Sequence, residues 1–137
     1  MIERIVVGTD GSETASEAVR QAAELASALG AQVHLLSAYT HGMGDTAELQ
    51  SDYQPGDAAR RVMDEAMATV EGAGVTAVSH VGDTDPAEAL MGLADEIDAG
   101  LIIVGNKGMR GARRFLGSVA NAVSHNATCA VMIIPTT

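Results

Sequence analysis

Asp85-Pro86-Ala87-Glu88-Ala89-Leu90-Met91-Gly92-Leu93-Ala94-Asp95-Glu96-Ile97-Asp98-Ala99-Gly100-Leu101-Ile102-Ile103-Val104 runs from a helix start into a buried strand. Asp85 is an N-cap acid, Pro86 suits the first helical position and Glu88 completes a capping box, so a helix starts at Asp85. Ala87, Leu90, Met91, Ala94 and Ile97 recur at helical spacing and form its inward face. Gly100 is the expected stop. The all-apolar run Leu101 to Val104 then suits a strand buried on both faces of a parallel sheet.

The same alternation extends in both directions. Ile5-Val6-Val7 is a short apolar strand, broken by Gly8-Thr9-Asp10-Gly11-Ser12. A helix follows, with Ala15, Ala18, Val19, Ala22, Ala23, Ala26 and Leu29 on one face and Glu17, Arg20 and Glu24 on the other. Ser12 or Thr14 caps it, and Gly30 ends it. Gln32 to Ala38 reads as the second strand. Tyr39 to Gly56 holds no period and is predicted to be a mobile excursion. A helix from about Asp57 to Glu71 is closed by Gly72 and Gly74, and Val75 to Val81 is the third strand. Beyond the fourth strand come a glycine-rich loop, a short helix over Ser118 to Asn126 and a last strand over Ala130 to Ile134. Strand and helix alternate throughout the 137 residues. One α/β domain is expected, a parallel Rossmann-like sheet with helices on both faces and right-handed crossovers. In such sheets the ligand sits beyond the carboxyl ends of the strands where their order reverses, and the loops after the first and fourth strands are the candidate pair.

Composition narrows the function. The core is built from Ala, Val, Leu, Ile and Met, because the chain has no Trp, one Phe and two Tyr. A net charge of -10 opposes a general role on nucleic acid or an anionic membrane. No apolar run approaches the roughly 20 residues that span a bilayer, and the N-terminus has no signal-peptide character, so a cytoplasmic protein is expected. The single cysteine, Cys129, reads as a small buried residue. His34, His41, His80 and His125 show no ligand spacing, and a zinc site is not expected from them. No G-x-S-x-G elbow surrounds any serine, and no histidine is tied by spacing to Cys129.

The charge distribution is more informative than its sum. No Asp or Glu follows Asp98, and four of the eight Lys and Arg residues fall between Lys107 and Arg114. They lie within Gly105-Asn106-Lys107-Gly108-Met109-Arg110-Gly111-Ala112-Arg113-Arg114-Phe115-Leu116-Gly117-Ser118. Glycines let backbone N–H groups turn toward a ligand, and a helix N-terminus adds partial positive charge, a combination that favours phosphate. A flexible loop with a serine cap is the alternative. The dinucleotide G-x-G-x-x-G and the P-loop G-x-x-x-x-G-K-[ST] are both absent. Asp10, at the end of the first strand, is placed to accept from a ribose hydroxyl or to hold a phosphate-bound Mg2+, or else to cap the helix that follows.

These residues resemble the universal stress protein family along the whole chain. The opening V-x-x-D-G-S turn appears as Val7-Gly8-Thr9-Asp10-Gly11-Ser12, and the later helix start as Gly82 followed by Asp85-Pro86-Ala87-Glu88. The G-x-x-G, about nine residues, G-[ST] signature of nucleotide-binding members appears as Gly105-x-x-Gly108, eight residues, then Gly117-Ser118. The resemblance implies five parallel strands in the order 3-2-1-4-5, ATP across the ends of the first and fourth strands, and homodimers through the last strand. It also implies roles by position. Gly8, Thr9 and Asp10 would line adenosine and ribose, with Asp10 able to hold metal, and the backbone at Ala38 would meet adenine. Gly105, Gly108, Gly117, Ser118 and Val119 would hold phosphates, with Met109 and Arg110 in the same loop. The spacing, one residue shorter, leaves AMP or cyclic AMP as alternatives.

A binding or regulatory module with slow or no hydrolysis is therefore expected. A dimerisation module without nucleotide is the alternative from another class. An ATP pyrophosphatase is disfavoured, because the usual S-G-G-x-D-S loop is absent after the first strand.

Overall fold

The computed structural model describes residues 2–10, 13–38, 55–82, 84–106 and 117–135. In chain order these form β1 (Arg4–Gly8), α1 (Glu13–Leu29), β2 (Gln32–Ala38) and α2 (Pro55–Gly72). There follow β3 (Ala77–Gly82), α3 (Pro86–Ile97), β4 (Leu101–Gly105), α4 (Ser118–Asn126) and β5 (Ala130–Ile134). All strand pairs are parallel, and the five-stranded sheet has the order β3-β2-β1-β4-β5, as the family resemblance implied.

The apolar strand runs behave as two-sided burial requires. Ile5, Val6 and Val7 are fully buried, with alternate side chains entering opposite layers. Ile5 and Val7 join Val33, Leu35 and Ile103 beneath α1 and α2, where Ala18, Ala22 and Ala26 lie against the sheet. Val6 joins Leu36, Ile102 and Val104 on the opposite face, covered by Leu90 and Ala94 of α3 and by Ala120 and Val123 of α4. Alanine-rich helix faces let the backbones approach closely.

Most of the expected boundary signals hold in the structure. Asp85 is the N-cap of α3, its carboxylate accepting from Ala87 N–H at 3.1 Å and Glu88 N–H at 3.3 Å. We expect Asp85→Ala to cost about 0.5–2 kcal/mol by orphaning these donors, measurable as a lower urea midpoint with an unchanged slope. Gly30 and Gly74 take left-handed backbone, φ +69° and +77°, at the ends of α1 and α2.

Three boundaries differ by two residues or more, and the others by at most one. α2 begins at Pro55 rather than Asp57, because proline is well suited to the first helical turn. β3 begins at Ala77 rather than Val75, since the Val75 N–H still closes onto the Val70 carbonyl at the end of α2. α3 ends not through Gly100 but through Asp98, which takes the left-handed conformation at φ 56°. Gly100 serves packing instead, for a Cβ there would stand 3.3 Å from the Ile2 Cα. The excursion predicted over Tyr39–Gly56 lies outside the described residues, except for Pro55 and Gly56 in α2.

Candidate functional site

The sheet reverses direction of growth between β1 and β4. β2 and β3 lie to one side of β1, β4 and β5 to the other. The two strands pair in register from Ile5↔Leu101 to Val7↔Ile103, so Gly8 and Val104 are the next positions on each strand toward this edge. In open parallel sheets the crevice that receives a ligand lies at such a reversal point, beyond the carboxyl ends of the two strands.

Both strand ends are fixed by hydrogen bonds beyond the regular ladder. Thr9 N–H donates to the Leu36 carbonyl at 2.9 Å, and Asn106 N–H donates to the Ile134 carbonyl at 3.1 Å. Thr9 and Asn106 are buried, whereas Asp10 is exposed just beyond Thr9. Gly8 sits tightly under α3: a Cβ there would meet Leu90 Cδ2 at 3.3 Å. β2 ends alongside at Ala38, and Ser37, one residue before, is buried.

Next along the described chain comes α4, which packs against β4 and β5. Gly117 is its N-cap and is buried, Ser118 is exposed and Val119 half-buried. Gly117 has φ -61° and ψ 160°, backbone that any residue adopts, so no dihedral constraint requires glycine there. The Gly117 carbonyl already accepts from Asn121 N–H at 2.9 Å, and the first turn carries no acid. The free N–H groups at that end suit an anion. His125 lies in the last turn, its Nδ1 2.9 Å from the Asn121 carbonyl, at the far end of α4 from Ser118.

Of the sequence-predicted site residues, Gly8, Thr9, Asp10, Ala38, Gly105, Gly117, Ser118 and Val119 fall at strand ends or at the α4 start. Gly108, Met109 and Arg110 lie outside the described residues. Two buried polar positions at this edge were not singled out in the sequence. Asn106 and Ser37 each stand at the carboxyl end of a buried strand, and a polar residue closing an apolar run was the available signal. A cleft of about 200 Å3 opens beside Thr9 between α1 and α2, with Ser16, Arg20, Glu65 and Thr69 among its walls.

The sequence profile of the universal stress protein family matches residues 1–135. The chain belongs to the universal stress protein family. It is 38% identical over 143 aligned positions to a universal stress protein of Mycobacterium tuberculosis, covering 97% of this chain and 96% of that one. A solved universal stress protein in complex with cAMP superposes with a TM-score of 0.78 at 30% identity, covering 99% of this chain and 98% of its own. One from Archaeoglobus fulgidus in complex with dAMP superposes at 0.75 with 26% identity, covering 98% and 99%. The family assignment therefore rests on the whole length and not on the glycine loop alone.

Two groups outside the crevice bear on chemistry. Cys129 is half-buried rather than buried, and burial, reinforced by the Asp95 carboxylate, raises its thiol above the ordinary value, which favours the protonated form. The histidines are not all isolated: His34 Nδ1 and His80 Nε2 stand 2.9 Å apart. Parallel pairing of β2 with β3 brings together residues 46 positions apart. Among the described residues, no group of three or more His, Cys, Asp or Glu side chains forms a metal cluster, and no helix is long and apolar enough to cross a membrane.

Proposed function

We propose that this universal stress protein is a cytoplasmic adenine-nucleotide-binding regulator that holds ATP across the ends of β1 and β4 and hydrolyses it slowly or not at all. The observation that supports this reading is the pairing of β1 with β4 at the reversal point of the sheet, which puts Gly8-Thr9-Asp10 and Gly105-Asn106 at one edge; the acid-free start of α4 adds to it. Gly8, Thr9 and Asp10 take the ribose side, and the backbone at Ala38 takes adenine. Gly105, Gly117, Ser118 and Val119 hold phosphates, with Gly108, Met109 and Arg110 completing the loop. The exposed carboxylate of Asp10 fits a phosphate-bound Mg2+, which commonly takes only one or two protein carboxylates and keeps its waters. Mg2+ would neutralise phosphate charge there.

Hydrolysis also needs a group that positions water at the terminal phosphate. No carboxylate follows Asp98 in the sequence, and His125 is a helix length away from Ser118. Bound nucleotide then acts as a ligand that favours one conformation or partner over another.

The related structure in complex with cAMP supports a second reading, a sensor of AMP or cyclic AMP. Mass spectrometry of small molecules released from denatured purified protein separates these readings. ATP is expected. AMP or cyclic AMP would favour the sensor, and no nucleotide, together with none taken up on titration, would leave a dimerisation module. With ATP and Mg2+, steady-state turnover should fall below about 1 per second, under the ordinary enzymatic range. Faster turnover, lost in Ser118→Ala, would overturn the ligand reading.

We also propose a homodimer through β5. This edge strand pairs with β4 on one side, Met132 on it is exposed, and Pro135 follows its end. An open apolar edge invites uncontrolled pairing unless a specific partner covers it. Sedimentation at micromolar concentration should give a dimer; a concentration-independent monomer would refute it.

A further inference from the structure

The His34–His80 pair stands apart from the crevice, and the sheet builds it in a particular way. His34 alternates with Leu36 along β2 and so belongs to the α3 side of the sheet, where β1 pairs Val6 with His34 and β3 pairs Val78 with it. His80 reaches it diagonally from β3, opposite Leu36. The rings stack at 24° with centroids 5.2 Å apart, His34 buried and His80 half-buried.

Gln32 completes the arrangement. Its Oε1 lies 3.2 Å from His34 Nε2 and accepts that N–H, which leaves the lone pair on Nδ1, the atom facing His80. A partner that takes the far N–H and so selects the tautomer is the usual companion of a metal-binding histidine. Burial, then His80, then the Arg4 guanidinium lower the His34 pKa from its ordinary value, so the ring is neutral at neutral pH.

We propose that His34 Nδ1 and His80 Nε2 form a two-nitrogen site for a divalent cation that favours right-angle coordination, Cu2+ or Ni2+. Two nitrogens each about 2.0–2.1 Å from one ion stand about 2.9 Å apart when they subtend 90°, and about 3.3 Å apart at the tetrahedral angle. The observed separation is 2.9 Å. On binding, the His80 proton passes through solvent from Nε2 to Nδ1, so that both rings stay neutral and each offers a lone pair to the ion. Rotation of the half-buried His80 ring then aims its lone pair off the N···N line toward the ion, and water fills the remaining positions. Arg4, whose charge reaches His34, opposes any incoming cation and limits affinity.

The test is titration of the full chain with Cu2+ alone, followed by calorimetry and by electron paramagnetic resonance. One equivalent should bind with a tetragonal spectrum carrying hyperfine structure from nitrogen. His80→Gln and His34→Gln should each weaken it at least tenfold, and His125→Gln should leave it unchanged. Gln32→Ala should weaken it about 10–100-fold through loss of the tautomer-fixing contact, while Arg4→Gln should tighten it. His80 is half-exposed, so its variant tests the site even where His34→Gln fails to fold. Absence of stoichiometric binding, or binding undiminished in His80→Gln, would overturn the proposal.

Discussion

Replacing Gly117 with valine is expected to abolish nucleotide binding while the domain remains folded. Gly117 caps α4 with φ -61° and ψ 160°, extended backbone that valine adopts without strain. The helix therefore survives. What changes is access: Gly117 is buried, and the two added methyl groups would crowd the N–H donors of the first turn that the proposed phosphate takes. Hydrogen bonds to a charged phosphate contribute about 1.5–3 kcal/mol each. Loss of two donors corresponds to a weakening of about a hundredfold or more. Titration calorimetry with ATP, set beside thermal melts, measures both quantities. Unchanged affinity in a folded Gly117→Val protein would refute the phosphate assignment, and the cAMP alternative with it, since both place phosphate at this helix start.

Ile102→Ala is expected to produce the largest loss of stability, about 2–5 kcal/mol. Ile102 is fully buried in β4, paired in register with Val6 and Val131, and packed in the layer that holds Leu90, Ala120 and Val123. Neighbours on two strands and two helices cannot all collapse into the vacated volume, so a cavity term adds to the lost transfer energy. Against a total of about 5–15 kcal/mol for a domain of ordinary stability, that is a large share. Chemical denaturation should show a much lower midpoint with an unchanged slope. A loss under about 1 kcal/mol, the range of well-tolerated volume-conserving swaps, would mean that the second layer is looser than its burial indicates.

Local signals determined much of this protein from the sequence by itself. Short apolar runs, helical periodicity, the Asp85-Pro86-Ala87-Glu88 start and the glycine after α1 act over one to four residues, and each is a local energy that tertiary packing did not override. The acid-free basic loop and its glycines pointed to the strand ends at which the sheet reverses. Where two elements compete for one residue, local reading fell short. Gly100 looked like a helix stop, yet the backbone of Ile2 passes so close that a side chain there would have to push it aside by a few tenths of an ångström, and Asp98 took the left-handed turn in its place. Strand order is not a local quantity either. It came from family resemblance, and the physical cause lies in how the crossovers pack α1 and α2 on one face and α3 and α4 on the other. Burial of Asn106 and Ser37 follows from that order. So does the meeting of His34 with His80, which no spacing along the chain encodes, because only parallel pairing of β2 with β3 brings the two rings within a hydrogen bond.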